Sequence, residues 1–165
     1  MVKPPSPPTS IRERIILAIV ALLGADGGPS GLTVHRERTR PIENDELPAI
    51  LIYCDDDAPE TLGKIQYQAP LVTRNLILHV ECRALGSTTV PPDAALDPLL
   101  VWVTQQLTKN EKFPTSDDPP VDLGNGVEEG KTTWLSKEGD QMYAAASMEW
   151  TVKYRTSRLD PTLRT

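Results

Sequence analysis

TRNLILHVECRAL, residues 73–85, decides the architecture. Leu76, Leu78, Val80, Cys82 and Ala84 point one way, and Asn75, His79, Glu81 and Arg83 point the other, with Ile77 as the exception. A period of two describes a β-strand with one covered face and one wetter face. The same period recurs at residues 144–154. There Ala144, Ala146, Met148, Trp150, Val152 and Tyr154 form the inward set, and only Ala145 breaks the polarity of the outward one. Two long strands of this kind predict a sheet covered on one side.

Shorter strands are expected around this pair. Pro48 to Cys54 is a continuous apolar run, which suits a central strand. Leu32 to Arg40 reads as an exposed strand, with Arg36, Arg38 and Arg40 on one face and His35, Glu37 and Thr39 on the other. Residues 55–69 read as a polar loop opening on Asp55, Asp56 and Asp57. Lys131 to Ser136, followed by a turn at Glu138-Gly139, forms an antiparallel hairpin with the last strand.

Two helices complete the order. Ser10-Ile11-Arg12-Glu13 has the pattern of a capping box, so a helix is expected from Ile11 to about Leu23, stopped at Gly24. Its stripe is Ile11, Ile15, Ile19, Leu22 and Leu23, and Leu17, Ala18, Val20 and Ala21 fill most of the other sides. A helix apolar nearly all round is covered on more than one side, either by the domain's own loops or by a neighbouring subunit. Asp97 and Pro98 mark the start of a second helix, with Leu99, Leu100, Val103 and Leu107 as its stripe and Trp102 flanking it. Residues 111–130, with Asp117-Asp118-Pro119-Pro120 and Gly124-Asn125-Gly126, read as a long loop.

The order is therefore α–β–β–β–α–β–β, joined by short loops and not by βαβ crossovers. This is an α+β fold, an antiparallel or mixed sheet of about four to five strands with two helices packed on one face. A flexible Pro-rich tail is expected at residues 1–9, a single domain at 10–158 and a second tail at 159–165. The chain's 165 residues fit one domain at roughly 100–200 residues each. Aromatics are only 5%, so the core must be built from Ile, Leu, Val and Ala.

A formal net charge of −6 argues against nucleic acid as the main partner, because phosphate binding needs a basic surplus. Cys54 and Cys82 stand in no metal-ligand spacing, and on strands they read as inert buried thiols, in keeping with a reducing compartment. Ile15 to Leu23 is far short of the roughly 20 apolar residues of a membrane span, and Glu13 between Arg12 and Arg14 favours a structural helix over a signal peptide. No nucleophile elbow or phosphate-binding loop is present. Asp55, Asp56 and Asp57 with Glu60 could hold a divalent ion, but a charge run at a strand end is usually a solvated loop, and Asp117-Asp118 reads the same way. The Arg36, Arg38 and Arg40 stripe would either grip an acidic partner or guard an edge strand from unwanted pairing. No catalytic residue and no cofactor is expected.

These residues also carry a family resemblance. The opening Ile-Arg-Glu-Arg-Ile-Ile-Leu-Ala helix, the Leu-Pro-Ala-Ile-Leu-Ile-Tyr strand with its acidic sequel, Arg74 to Glu81, and Met148 to Thr156 together resemble the tail terminator proteins of long-tailed bacteriophages, the lambda minor tail protein U type. The resemblance spans about Ile11 to Pro161; the Pro-rich lead and the 111–130 loop depart from it. It implies a non-enzymatic structural protein of the virion tail or neck, present in the host cytoplasm during assembly. Such a protein closes into a homo-oligomeric ring, a hexamer, that caps the tail tube and stops its polymerisation. The implied partners are the tail tube protein and the head–tail connector protein, with DNA met only by passage through the ring and no membrane. Leu17 and Ala21, and the Arg36, Arg38 and Arg40 stripe, would lie at the subunit interface. Asp55 to Asp57 and Asp117-Asp118 would be partner-facing loops. The competing expectations are another neck or tail-completion subunit, a small monomeric binding domain, or a metal-dependent enzyme using Asp55 to Asp57.

Overall fold

The computed structural model describes residues 9–60, 71–114, 121–135 and 143–163. The elements run α1 (Ile11–Leu23), β1 (Thr33–Arg36), β2 (Ala49–Pro59), β3 (Leu71–Leu85), α2 (Pro92–Lys109), β4 (Gly124–Leu135) and β5 (Tyr143–Ser157). The fold is α+β; among the described residues it is a five-stranded mixed sheet in the order β1-β2-β3-β5-β4 with α1 and α2 on one face.

β3 and β5 are its spine, antiparallel and in register from Leu71↔Ser157 to Leu85↔Tyr143. The inward sets read from their alternation are all buried, with Trp150 at 0% exposure. α2 packs on β3 and β5, and α1 packs on α2 and β1. The layer between sheet and helices holds Ile11, Ile15, Ile16, Ile19, Leu96, Leu99 and Val103 against these inward faces. Each such side chain contributes about 1.5–3 kcal/mol by leaving water.

The sheet is mixed, as the expected fold allowed, and its connectivity departs from the expected short loops at the step from β3 to β4. β1 runs parallel to β2, from Thr33↔Ala49 to Arg36↔Ile52. β3 and β4 are both antiparallel to β5, which lies between them, so β3–α2–β4 is a split crossover and not a chain of short loops. Parallel strands need such a connection, and α2 supplies it.

Several elements have different bounds from those read in the sequence, and three of them change the site. β1 stops at Arg36 because Glu37, whose N–H still bonds the Ile52 carbonyl at 3.0 Å, takes a left-handed backbone (φ 42°) and turns the chain out of the sheet. β2 continues through Asp55, Asp56 and Asp57 to Pro59, since hydrogen bonding to the long β3 outlasts the apolar run. α2 begins at Pro92 and carries Pro98 inside it; Leu96 is fully buried and extends the stripe one turn upstream of Leu99.

In α1 the fully covered line is Ile11, Ile15, Ile16, Ile19 and Leu23, so Ile16 takes the place expected for Leu22. Ser10 accepts the Glu13 N–H as anticipated, but the Glu13 carboxylate turns to Arg36, so the box stays half-closed. Trp102 donates its indole N–H to the Leu23 carbonyl at 3.1 Å, closing the far end of α1.

The expected 111–130 loop is shortened by β4. Phe113 and Leu123 are buried at its base, and Gly124 passes so close to the Glu111 carbonyl that an added Cβ would stand 2.6 Å from it. The C-terminal segment expected as a free tail instead folds back: the Pro161 carbonyl accepts the Ile11 N–H at 3.0 Å, and the Leu163 carbonyl accepts the Ser157 N–H at 2.9 Å. Residues 1–8 of the Pro-rich lead and the turn at Glu138-Gly139 lie outside the described residues.

Candidate interaction surfaces

The arginine stripe does not survive as one face. Arg36, still on β1, closes on Glu13 of α1, with Nη2 and Oε2 2.8 Å apart. Arg38 lies beyond the turn at Glu37. It donates to Glu46 Oε1 at 2.8 Å and to the Pro41 carbonyl at 3.1 Å, and its side chain is only 6% exposed. Arg40 reaches the same Glu46 at 3.1 Å and is 68% exposed. The hydrogen bonds from Arg38 and from the Glu43 backbone N–H hold the Glu46 carboxyl down to about 2. All three guanidiniums thus reach carboxylates of the chain itself, Arg36 on Glu13 and both Arg38 and Arg40 on Glu46.

The three aspartates diverge. A bulge between Cys54 and Asp56 shifts the β2 register. Asp55 extends over the helix-free face toward His79 Nε2, at 3.4 Å. Asp56 folds onto the Asp57 N–H at 2.7 Å. Asp57 pairs opposite Leu76 and so faces the helix side. There its carboxylate accepts from Arg74 Nε at 3.0 Å and from the Tyr154 hydroxyl at 2.9 Å, and its carbonyl accepts from Arg74 Nη2 at 2.7 Å. Burial, then the Asp57 charge, pushes the Tyr154 hydroxyl well above the usual phenol range. Among the described residues no group of three or more His, Cys, Asp or Glu is placed to share a metal ion. Asp117 and Asp118 lie outside the described residues.

The expected outer line of α1 is present. Leu17 is 51% exposed and Ala21 is exposed, while Ile15, Ile16 and Ile19 beside them are covered. A second apolar exposure, absent from the sequence reading, ends the opposite edge strand: Trp134 at 58% and Leu135 at 38%. Sequence could have flagged an aromatic in a strand next to a turn, although β4's two register shifts blur its alternation. The Arg74–Asp57–Tyr154 group was half visible. Arg74 keeps step with Leu76 on the inward face, whereas Asp57 reaches that face only through the bulge.

Comparison with protein-family models and with curated proteins returns no match to this chain. Among the described residues no helix is long and apolar enough to cross a membrane.

Proposed function

We propose that this chain is a non-enzymatic assembly subunit that associates with copies of itself through two different surfaces. Within that class we infer a tail terminator, by its resemblance to that family: a hexameric ring that caps a phage tail tube, stops its growth and joins the tail to the head connector. Its place is then the virion tail or neck, after assembly in the host cytoplasm, and DNA passes through its lumen.

The observation that supports the reading is the placement of two among the apolar exposures of the described residues. Leu17 and Ala21 lie on the helix that packs toward β1, and Trp134 and Leu135 end β4, at the opposite edge of the same sheet. Two unlike patches on opposite flanks suit a heterologous, head-to-tail contact, which forms a ring when its rotation closes. Self-complementary dimers need only one patch.

Light scattering tests this directly. The expected particle is a closed multiple of 18.2 kDa, and the added protein should shorten tubes of the tail tube protein polymerised in its presence. A monomer at every concentration, without effect on tube length, overturns the reading.

A further inference from the structure

We propose that, within the head-to-tail assembly inferred above, on which this contact rests, the outer edge of β4 at Thr132–Leu135 takes β1 of a second copy as an antiparallel strand, so that one sheet runs on into the next. Among the described residues β1 and β4 are the two edges of the sheet, each paired on one side only.

The hydrogen-bond phase says which groups those edges offer. Thr33 and Glu37 donate to the Pro48 and Ile52 carbonyls, both at 3.0 Å, so Val34 and Arg36 between them aim their backbone N–H and C=O away from the sheet. The same phase carries across. The backbone of Ile50 serves β1, so Leu51 bonds Glu81 in β3, Val80 bonds Met148 in β5, and Ser147 bonds Thr133 in β4. Thr132 and Trp134 are left aiming outward. This phase also turns the Gly124 N–H outward, where it donates to the Lys112 carbonyl at 2.7 Å.

Direction and register then agree. β1 runs parallel to β2, and the next three pairings are antiparallel, so β4 runs opposite to β1. A copy moved sideways without being turned over thus presents its β1 antiparallel to β4. One register satisfies both edges: Trp134 opposite Val34 of the second copy and Thr132 opposite Arg36 of the second copy, each pair exchanging both N–H···O bonds. A slip of two residues one way meets Leu32, whose N–H is held by the Pro29 carbonyl, and the other way passes the turn at Glu37. The chosen register also sets exposed Lys131 beside exposed Glu37 of the second copy, a pair of opposite charge.

The side chains fit the same arrangement. Trp134 stands opposite Ala146 and so leans to the helix side, as do Val34, packed on the core, and Arg36, bound to Glu13 of α1. The 58%-exposed indole would enter beside the Leu17 and Ala21 line of the second copy, which lies between the Glu13 and Gly24 ends of α1. Edge strands guard against such pairing with charges and bulges. In β4 the charges (Glu128, Glu129 and Lys131) and both register shifts come before Thr132, and the run from Thr132 to Leu135 has neither.

The test uses the full chain with Thr133→Cys and His35→Cys together. This register sets them opposite each other as a non-hydrogen-bonded pair, Cα atoms about 4.5 Å apart and within disulfide reach. Mild oxidation should give a covalent series running beyond the dimer on a non-reducing gel, absent from the unaltered protein. Thr132→Pro, which removes an N–H that β5 does not use, should weaken association at least tenfold; if that variant folds poorly, the cross-link decides. Dimers from Thr133→Cys alone would mean that β4 meets its own copy about a two-fold axis, and would overturn the proposal. Assembly by light scattering without the paired cross-link overturns the strand contact and leaves the ring standing. A monomer at every concentration overturns both.

Discussion

The Arg36 guanidinium and the Glu13 carboxylate meet as fork on fork, with Nη2 and Oε2 2.8 Å apart, and tie the edge strand β1 to the first turn of α1. The hydrogen bond from Arg36 holds the Glu13 carboxyl below the usual carboxylate range. Both side chains keep about a quarter of their surface in water, at 26% and 29%, so the pair is screened. A double-mutant cycle with Arg36→Ala and Glu13→Ala should give a coupling of about 0.5–1 kcal/mol in urea unfolding. Charge reversal at Arg36 should therefore lower stability whether or not the chain assembles. A coupling of zero would dissolve this link between β1 and α1.

Acid should loosen the segment between β1 and β2 before it unfolds the domain. Glu46 titrates at about 2 when folded, against an ordinary value of 4.5, so the unfolded chain takes up its proton first as pH falls. Its contribution is complete above the ordinary value and drains away as pH drops toward about 2. Amide protection in residues 38–48, relative to the intrinsic exchange rate at each pH, should fall across that window, and Glu46→Gln should leave that protection low at every pH. Identical profiles for the two proteins would refute it.

Neighbours in α1 should behave oppositely. Ile16 is fully buried and Leu17 is 51% exposed. Ile16→Ala should cost about 2–5 kcal/mol, and Leu17→Ala less than about 0.5 kcal/mol. Leu17→Glu, equally harmless to the monomer, should reduce the solution mass toward 18.2 kDa, as should Trp134→Glu on the far edge. If both variants fold and assemble like the original, neither patch is an interface.

Gly124 should tolerate no side chain. A Cβ there would stand 2.6 Å from the Glu111 carbonyl oxygen and 3.0 Å from the Phe113 ring, and the first of these is backbone that cannot give way. Gly124→Ala should cost about 1–3 kcal/mol, as overpacking does. Gly126, where nothing stands within 4 Å of an added Cβ, strains only its own positive φ of 132°. Thermal midpoints of the two alanine variants compare these effects, and the larger fall is expected at Gly124.

The thiols should differ in reactivity. Burial pushes Cys82 up to about 12 and raises half-buried Cys54 as well. Iodoacetamide at neutral pH should label Cys54 slowly and Cys82 only on unfolding. Fast labelling of Cys82 in the folded protein would contradict its place on β3, facing the core beneath the helices.

The spine of the fold was legible because a period of two leaves no choice of face. Leu76 to Ala84 and Ala144 to Tyr154 alternate, and every inward residue named from that alternation is buried. α1 was equally plain, since Ser10 and Gly24 bracket it and both cap it. The surfaces were read less well. The Arg36, Arg38 and Arg40 stripe assumed a straight strand, and one left-handed residue, Glu37, removed it. The Asp55 to Asp57 run assumed a loop, where β3 imposed a strand.

The sequence by itself determined which residues are covered and which elements form, because burial and backbone period are local properties of the chain. Only the tertiary structure decided where charges end. Glu13 could have returned to Ser10, and Asp57 could have faced water; Arg36 and Arg74, 23 and 17 residues away, took them instead. Ion-pair partners are chosen by the register between strands and by a single bulge, and these depend on long-range pairing that no local pattern encodes.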